Sequence, residues 1–169
     1  MDIWTLKEVL LDKQYQMFKK VPKAGYIIDI GAGIGDFSIQ SAQKGCKVIA
    51  YECDSERISL LRENLKLNKI TTVKVRAQRA KSLKKILKKI NICSFLKMDC
   101  EGEEYQIFKN ATRSDLDKVK YIAMEAHKFN NKMKIEFTNL IDKLKKNGFR
   151  LKIVQNPVHE YICYVFASK

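Results

Sequence analysis

The sequence predicts an α/β protein in three layers, with helices packed on both faces of a mostly parallel sheet. Three observations carry that expectation. Seven short β-rich apolar runs are spread through the 169 residues. Helical apolar periodicity fills the gaps between the first six. Only the last two runs lack an intervening helix, so they should close one edge as an antiparallel hairpin.

Taken in order, the chain begins MDIWTLKEVLLDKQYQMFKK, where Trp4, Leu6, Val9, Leu10 and Phe18 form the packing face of an N-terminal helix expected over residues 1–22. This stretch mixes acids and bases and lacks the basic-then-apolar order of a signal peptide, which makes a cytoplasmic location the expectation. The core should run over residues 25–169. Its first strand, YIIDI (26–30), leads into DIGAGIGDF and a helix, FSIQSAQK. KVIAY (47–51) precedes a helix over 55–67 with Ile58, Leu61 and Leu65 on one face. After TVKVR (72–76), residues 81–90 gather Leu83, Ile86, Leu87 and Ile90 on one helical stripe. Lys81, Lys84, Lys85, Lys88 and Lys89 lie opposite, as a solvated face or as a ridge for phosphates. ICSFLKM (92–98) is followed by a short helix, EEYQIFKN, and YIAMEA (121–126) by a helix over 132–146 carrying Met133, Phe137, Leu140, Ile141 and Leu144. FRLKIV (149–154) and YICYVFA (161–167) are joined by QNPVHE, in which Asn156-Pro157 is turn chemistry. With no repeat or linker, residues 1–169 form a single domain, long enough for a full core.

Composition narrows the function classes. A 46% apolar and 31% charged chain is a soluble globular protein. No apolar run approaches the roughly 20 residues of a membrane span. Five scattered cysteines without a CxxC pair, and only two histidines, exclude zinc-finger spacing and suggest reduced thiols. The 33 Lys+Arg against 19 Asp+Glu, a net charge of +14, make nucleic acid a candidate partner, although the excess is mostly Lys and Arg is sparse.

Gly31, Gly33 and Gly35 follow the first strand directly. Glycine lets the backbone turn sharply and lets a ligand approach with no Cβ in the way. A dinucleotide fingerprint would need glycine at 36, where Asp36 stands. That carboxylate would repel a pyrophosphate but suits a ligand with a cationic amino-acid end, such as S-adenosyl-L-methionine. Glu52, 21 residues after Gly31, ends the second strand, where an acid can accept ribose hydroxyls.

With both parts in place the chain resembles the class I S-adenosylmethionine-dependent methyltransferases. The resemblance implies a Rossmann-like seven-stranded sheet of order 3-2-1-4-5-7-6 with strand 7 antiparallel. It implies that residues 31–35, including Ala32, lie under the methionine portion of the cofactor and that Asp29 supports this loop. It further implies that Glu52 holds the ribose, that Cys53 lies against the adenine, and that Ala77 and Gln78 flank it.

The fourth strand ends in LKMDCEGEEY, four carboxylates within six residues of a basic chain. In the implied order this cluster faces the crevice beside a sulfonium cation, which favours the carboxylate anion. LKMDCEGEEYQIFKNA and IAMEAH resemble the FkbM-type methyltransferases, similar to sugar and natural-product O-methyltransferases. By position the resemblance gives Asp99, Glu101, Gly102 and Glu104, with Glu125 and His127 one strand away. It implies O-methylation of a hydroxyl on a sugar or other small acceptor, with neutral His127 as base, Asp99 orienting the acceptor, and Glu101 and Glu125 beside them. Glu103 should point to solvent, Glu104 should favour the N-terminal end of its helix, and His159 in the hairpin turn has no chemical role. A divalent ion on Asp99, Glu101, Glu125 and His127 would acidify a hydroxyl, but no ligand spacing demands a metal. The core carries no inserted lid, so a large acceptor or a second subunit, as in a homodimer, would have to close the site.

Two alternatives remain open at this level. An RNA or DNA methyltransferase fits the charge, although MDCEGE stands where amino-methylating enzymes carry Asn/Asp-Pro-Pro-aromatic, and Cys100 lacks the proline of cytosine-directed nucleophiles. A non-catalytic binding module with the same fold is the other.

Overall fold

The computed structural model describes residues 14–169. Trp4, Leu6, Val9 and Leu10, with most of the helix expected over residues 1–22, lie outside the described residues. Within them, Gln14–Gln16 form one turn of 3-10 helix and no α-helix precedes the first strand. Proline disfavours helical backbone in the residue before it, and Val21 precedes Pro22. Tyr15 and Val21 are buried, whereas Phe18 is 44% exposed, with its ring edge-on to Phe166.

Seven strands form one sheet: β1 (Tyr26–Ile30), β2 (Lys47–Glu52), β3 (Val73–Ala77), β4 (Cys93–Met98), β5 (Tyr121–His127), β6 (Arg150–Gln155) and β7 (Ile162–Ser168). Their order is β3-β2-β1-β4-β5-β7-β6. Neighbours among β1 to β5 pair in parallel, and β7 runs antiparallel to both β5 and β6. Both faces of the central strands are buried, which is why these strands read as near-continuous apolar runs. Ile28, Ile30, Leu96, Met98 and Ile122 join one core cluster, while Ile27, Val48, Phe95 and Tyr121 join another on the opposite face.

The helices are α1 (Asp36–Gln43), α2 (Ser55–Leu67), α3 (Leu83–Ile86), α4 (Glu104–Lys109), α5 (Arg113–Asp117) and α6 (Asn131–Lys146). Caps set three of the starts. The Asp54 carboxylate accepts from the Arg57 amide and the Asn130 side chain accepts from Met133. Thr112 and Asp115 form a reciprocal capping box at α5, a helix that apolar periodicity did not reveal. The helix expected over 81–90 is a single α-turn. Past it the amide bonds tighten to three-residue spacing, Lys88 to Lys85 and Ile90 to Leu87, yet all four expected apolar side chains are buried. Among the described residues no helix is long and apolar enough to cross a membrane.

Strand register builds the site. Ile30 lies opposite Tyr51 of β2 and Met98 of β4, and Met98 lies opposite Met124 of β5. The next residues therefore stand side by side at the carboxyl ends of the central strands, where open α/β sheets place their ligands: Gly31 and Asp99 leave the sheet, while Glu52 and Glu125 are still paired within it.

Candidate active site

The loop after β1 packs directly on the exit of β4. Gly31 has φ +73°, and a Cβ there would lie 1.6 Å from the Asp99 carbonyl oxygen. Gly33 differs. Its φ is also positive, but nothing lies within 4 Å of where a Cβ would stand, so its backbone faces open space. Behind the loop, the buried Lys97 ammonium donates to the Gly31 carbonyl at 2.7 Å and lies 3.4 Å from Asp29 Oδ1. Asp29 also accepts from the Ser38 hydroxyl at 2.7 Å. Burial raises the Asp29 pKa, with Lys97 and Ser38 opposing it. Asp29 thus braces the loop from beneath, and Lys97 adds a buried cation to that brace. Ala32 and Gly35 are buried within the loop.

Glu52 turns back over the loop: Oε2 accepts from the Gly33 amide at 2.8 Å, and Oε1 from Cys53 and Asp54 at 2.7 and 2.9 Å. It stands at one side of a cleft of about 380 Å³ that also meets Gly31, Cys53, Gln78, Ala80 and Asp99. That volume is in the range of small-ligand sites. Asp36, at the start of α1, keeps a buried carboxylate oxygen without a hydrogen-bond partner. Burial raises its pKa, so a cationic ligand group would be welcome there. The cleft, the open face of Gly33 and this orphaned oxygen fit S-adenosylmethionine better than a pyrophosphate. Ala77 does not line the cleft. β3 continues through Ala77, which pairs with Glu52, and the wall is made by Gln78, Arg79 and Ala80 instead.

At the far end of the cleft, Asp99 Oδ2 accepts from the phenol of buried Tyr15 at 2.9 Å. Asp99, Glu125 and His127 each present an atom within 4.8 Å of the others. His127 is clasped by two carboxylates, with Nδ1 2.9 Å from Glu104 Oε1 and Nε2 3.4 Å from Glu125 Oε1. Burial alone would lower its pKa, but the hydrogen bonds and charges of Glu104 and Glu125 outweigh burial and raise it to about 10. At neutral pH this side chain is an imidazolium. The exposed Phe129 ring lies tilted with its centroid 5.1 Å from that of His127, and Tyr161 lies tilted 5.3 Å beyond it.

Two family models match this architecture. The TRM5/TYW2 methyltransferase domain covers residues 5–102, more than half the chain, and the methyltransferase FkbM domain covers residues 68–151. The chain belongs to the S-adenosylmethionine-dependent methyltransferases of the TRM5/TYW2 domain type, and it is similar to the FkbM domain over the shorter match. Curated relatives include a tRNA (guanine(37)-N(1))-methyltransferase of Theileria parva, 23% identical over 95% of this chain and 32% of its own length. A second, Trm5b of Pyrococcus abyssi, is 36% identical over 38% of this chain and 19% of its own. The methyltransferase chain thus spans no more than about a third of these relatives. Among solved structures, an rRNA methylase from Streptococcus thermophilus superimposes with a TM-score of 0.67 at 13% identity, covering 94% of this chain and 92% of that one. TrmK of M. capricolum, bound to S-adenosylhomocysteine, gives 0.66 at 14% identity over 94% and 67%. These two likenesses bear on the fold.

Set against the sequence expectations, this methyltransferase brings Asp99, Glu125 and His127 together and leaves Glu101 outside. Glu101 has a left-handed backbone, φ +53°, and its exposed carboxylate lies 4.0 Å from Arg57 on the rim. Neutral His127 as base is corrected by its two carboxylate partners. A cation on Asp99, Glu125 and His127 would have to displace that proton. The Glu103 side chain faces solvent, as expected, and meets the exposed Arg79 at 3.0 Å across the cleft mouth. Burial, then Glu104 and Asp99, push the Cys100 thiol far up, so it is no thiolate nucleophile. Sequence reasoning did not find Tyr15, the bracing role of Lys97, or the Phe129–Tyr161 pair. For Glu104 the signal was present in the motif string, but helix-end electrostatics explained it equally well.

Proposed function

We propose that the chain methylates RNA, at the lactam edge of a purine, with S-adenosylmethionine in the cleft beside Glu52. The observation that carries this reading is the pairing of a carboxylate, Asp99, with a histidine, His127, that Glu104 and Glu125 hold in its charged form near neutral pH. A hydroxyl offers a single site and needs a base. The N–H/C=O edge of guanine needs a proton acceptor next to a positive charge, and these two side chains supply that pair. Curated relatives that methylate guanine N1 of tRNA support it, and so does the net charge of +14. Exposed Phe129 and Tyr161 supply a stacking face for a flat acceptor. These features favour RNA over the sugar or small hydroxylated acceptor that the FkbM resemblance suggested.

The bound cofactor supplies an electrophilic methyl on a sulfonium. The protein residues position the acceptor and manage its proton. Asp99, held by Tyr15, accepts the proton from the ring nitrogen as the methyl arrives, while the positive charge of His127, whose two N–H groups are held by Glu104 and Glu125, stabilises negative charge that develops on the adjacent carbonyl oxygen. Glu104 and Glu125 keep His127 charged and oriented. Most of the acceleration comes from this positioning.

The test is incubation with tritiated S-adenosylmethionine and, in separate reactions, a tRNA transcript and a panel of sugars and small alcohols, followed by nucleoside analysis. Label in a methylated purine supports the reading. Label only in a hydroxylated small molecule overturns it in favour of O-methylation.

A further inference from the structure

We infer that the groove between the β3 edge and α3 is the surface that holds the RNA backbone flanking the target nucleotide. This inference rests on the RNA reading above and specifies where the polyanion lies.

The groove has a volume of about 610 Å³, and six cations line it: Lys47 of β2, Lys74 and Arg76 of β3, and Lys85, Lys88 and Lys89 on and after α3. No carboxylate lines it. All six cations are exposed, and among the described residues none is in an ion pair. A solvated helix face would account for lysines on α3 alone. It does not account for cations from two strands and a loop converging on one concavity without a counter-charge.

The groove is also connected to the cleft. A second hollow, lined by Tyr51, Gln78, Arg79, Ala80, Lys81 and Lys85 among others, shares Tyr51, Gln78, Arg79 and Ala80 with the cofactor cleft. It shares Tyr51, Lys85 and Ile86 with the basic groove. The three form a continuous concave track that runs from the carboxyl ends of β1 to β3 to their amino ends, where Tyr26 and Lys47 stand. Tyr26, 40% exposed with Lys47 over its ring, adds an aromatic surface at the distal end. Cations interleaved with an exposed aromatic are the composition of a nucleic-acid track. β3 lies three strand spacings from β4, about 14 Å. The groove therefore takes backbone some nucleotides away from the base at Asp99, not the target itself.

The test compares three proteins by fluorescence anisotropy with a labelled tRNA transcript, from 50 to 300 mM salt: the wild type, a groove variant and a control. The groove variant is Lys74→Glu/Lys85→Glu/Lys88→Glu/Lys89→Glu. The control, Lys132→Glu/Lys134→Glu/Lys145→Glu/Lys146→Glu on α6, carries the same charge change. S-adenosylhomocysteine affinity and melting temperature of each confirm an intact fold. Loss of four phosphate contacts should flatten the salt dependence by about three to four units in log–log slope and weaken binding more than about 30-fold at moderate salt. The control should change both far less. If the groove variant and control bind equally, this surface is wrong while the RNA reading stands. If wild type does not bind RNA at any salt, the RNA reading fails and takes the groove with it.

Discussion

Glu104→Gln tests the charged state of His127, on which the choice of acceptor depends. The rise of the His127 pKa from 6.5 to about 10 corresponds to about 5 kcal/mol of native-state stability when the ring is charged. Two carboxylates share that interaction, and Glu104, 2.9 Å away against 3.4 Å for Glu125, is the nearer. Its loss should remove about 3 kcal/mol near neutral pH, since a buried charge is left half-compensated. For a chain of this length that lowers the melting temperature by about 6–12 °C. The direction with pH follows from the raised pKa. The stabilisation is complete below pH 6.5 and disappears as pH climbs through about 10. The wild type should therefore lose stability across that window, and its margin over Glu104→Gln should narrow. Thermal unfolding from pH 6 to 10.5 measures the margin. Proton NMR of the His127 ring reads the pKa directly. A His127 resonance titrating near 6.5, or a margin unchanged between pH 6.5 and 10.5, would refute the reasoning.

Two further predictions follow from the loop and its neighbours. Gly31→Ala forces a Cβ into the Asp99 carbonyl and should cost more than about 3 kcal/mol or prevent folding, whereas Gly33→Ala meets open space and should cost about 1 kcal/mol in backbone strain while weakening cofactor binding. Calorimetry with S-adenosylhomocysteine and denaturant unfolding distinguish the two. Tyr15→Phe removes one hydrogen bond to Asp99 and should lower stability by about 1 kcal/mol. It should also reduce methyl transfer with cofactor affinity unchanged, because the acceptor's carboxylate loses its anchor; steady-state kinetics and binding, measured together, check this.

The layers of the fold were legible because the chain states them locally. Central strands buried on both faces give unbroken apolar runs, and the return hairpin announces itself by the missing helix at QNPVHE. Helix α5 was not, since five residues are too short for periodicity and only its Thr112–Asp115 capping box marks it. The length of α3 was overestimated because the stripe of Leu83, Ile86, Leu87 and Ile90 persists through a tightened turn as well as through a helix. The walls of the cleft were legible to within a residue or three: the loop and Glu52 sit on one βαβ unit, and the wall expected at Ala77 begins one residue later, at Gln78. The acceptor side was harder. Its decisive contacts join residues far apart in sequence, Tyr15 with Asp99 across 84 positions and Glu104 with His127 across 23. The charge of His127 depends on the second of these, so a sequence that shows a histidine near pH 7 chemistry cannot show that the fold has already protonated it.

The central claim is that the cleft at the ends of β1, β2 and β4 holds S-adenosylmethionine through Glu52. Thermal unfolding of wild type and Glu52→Gln, each with S-adenosylmethionine, S-adenosylhomocysteine or NAD at high excess, tests it most directly. A ligand near 100 times its dissociation constant stabilises by about 2.7 kcal/mol, a rise of roughly 5–11 °C at this size. The account predicts that rise in wild type with the first two ligands only, and a much smaller one in Glu52→Gln. A rise with NAD, or none with either sulfur ligand, would contradict it.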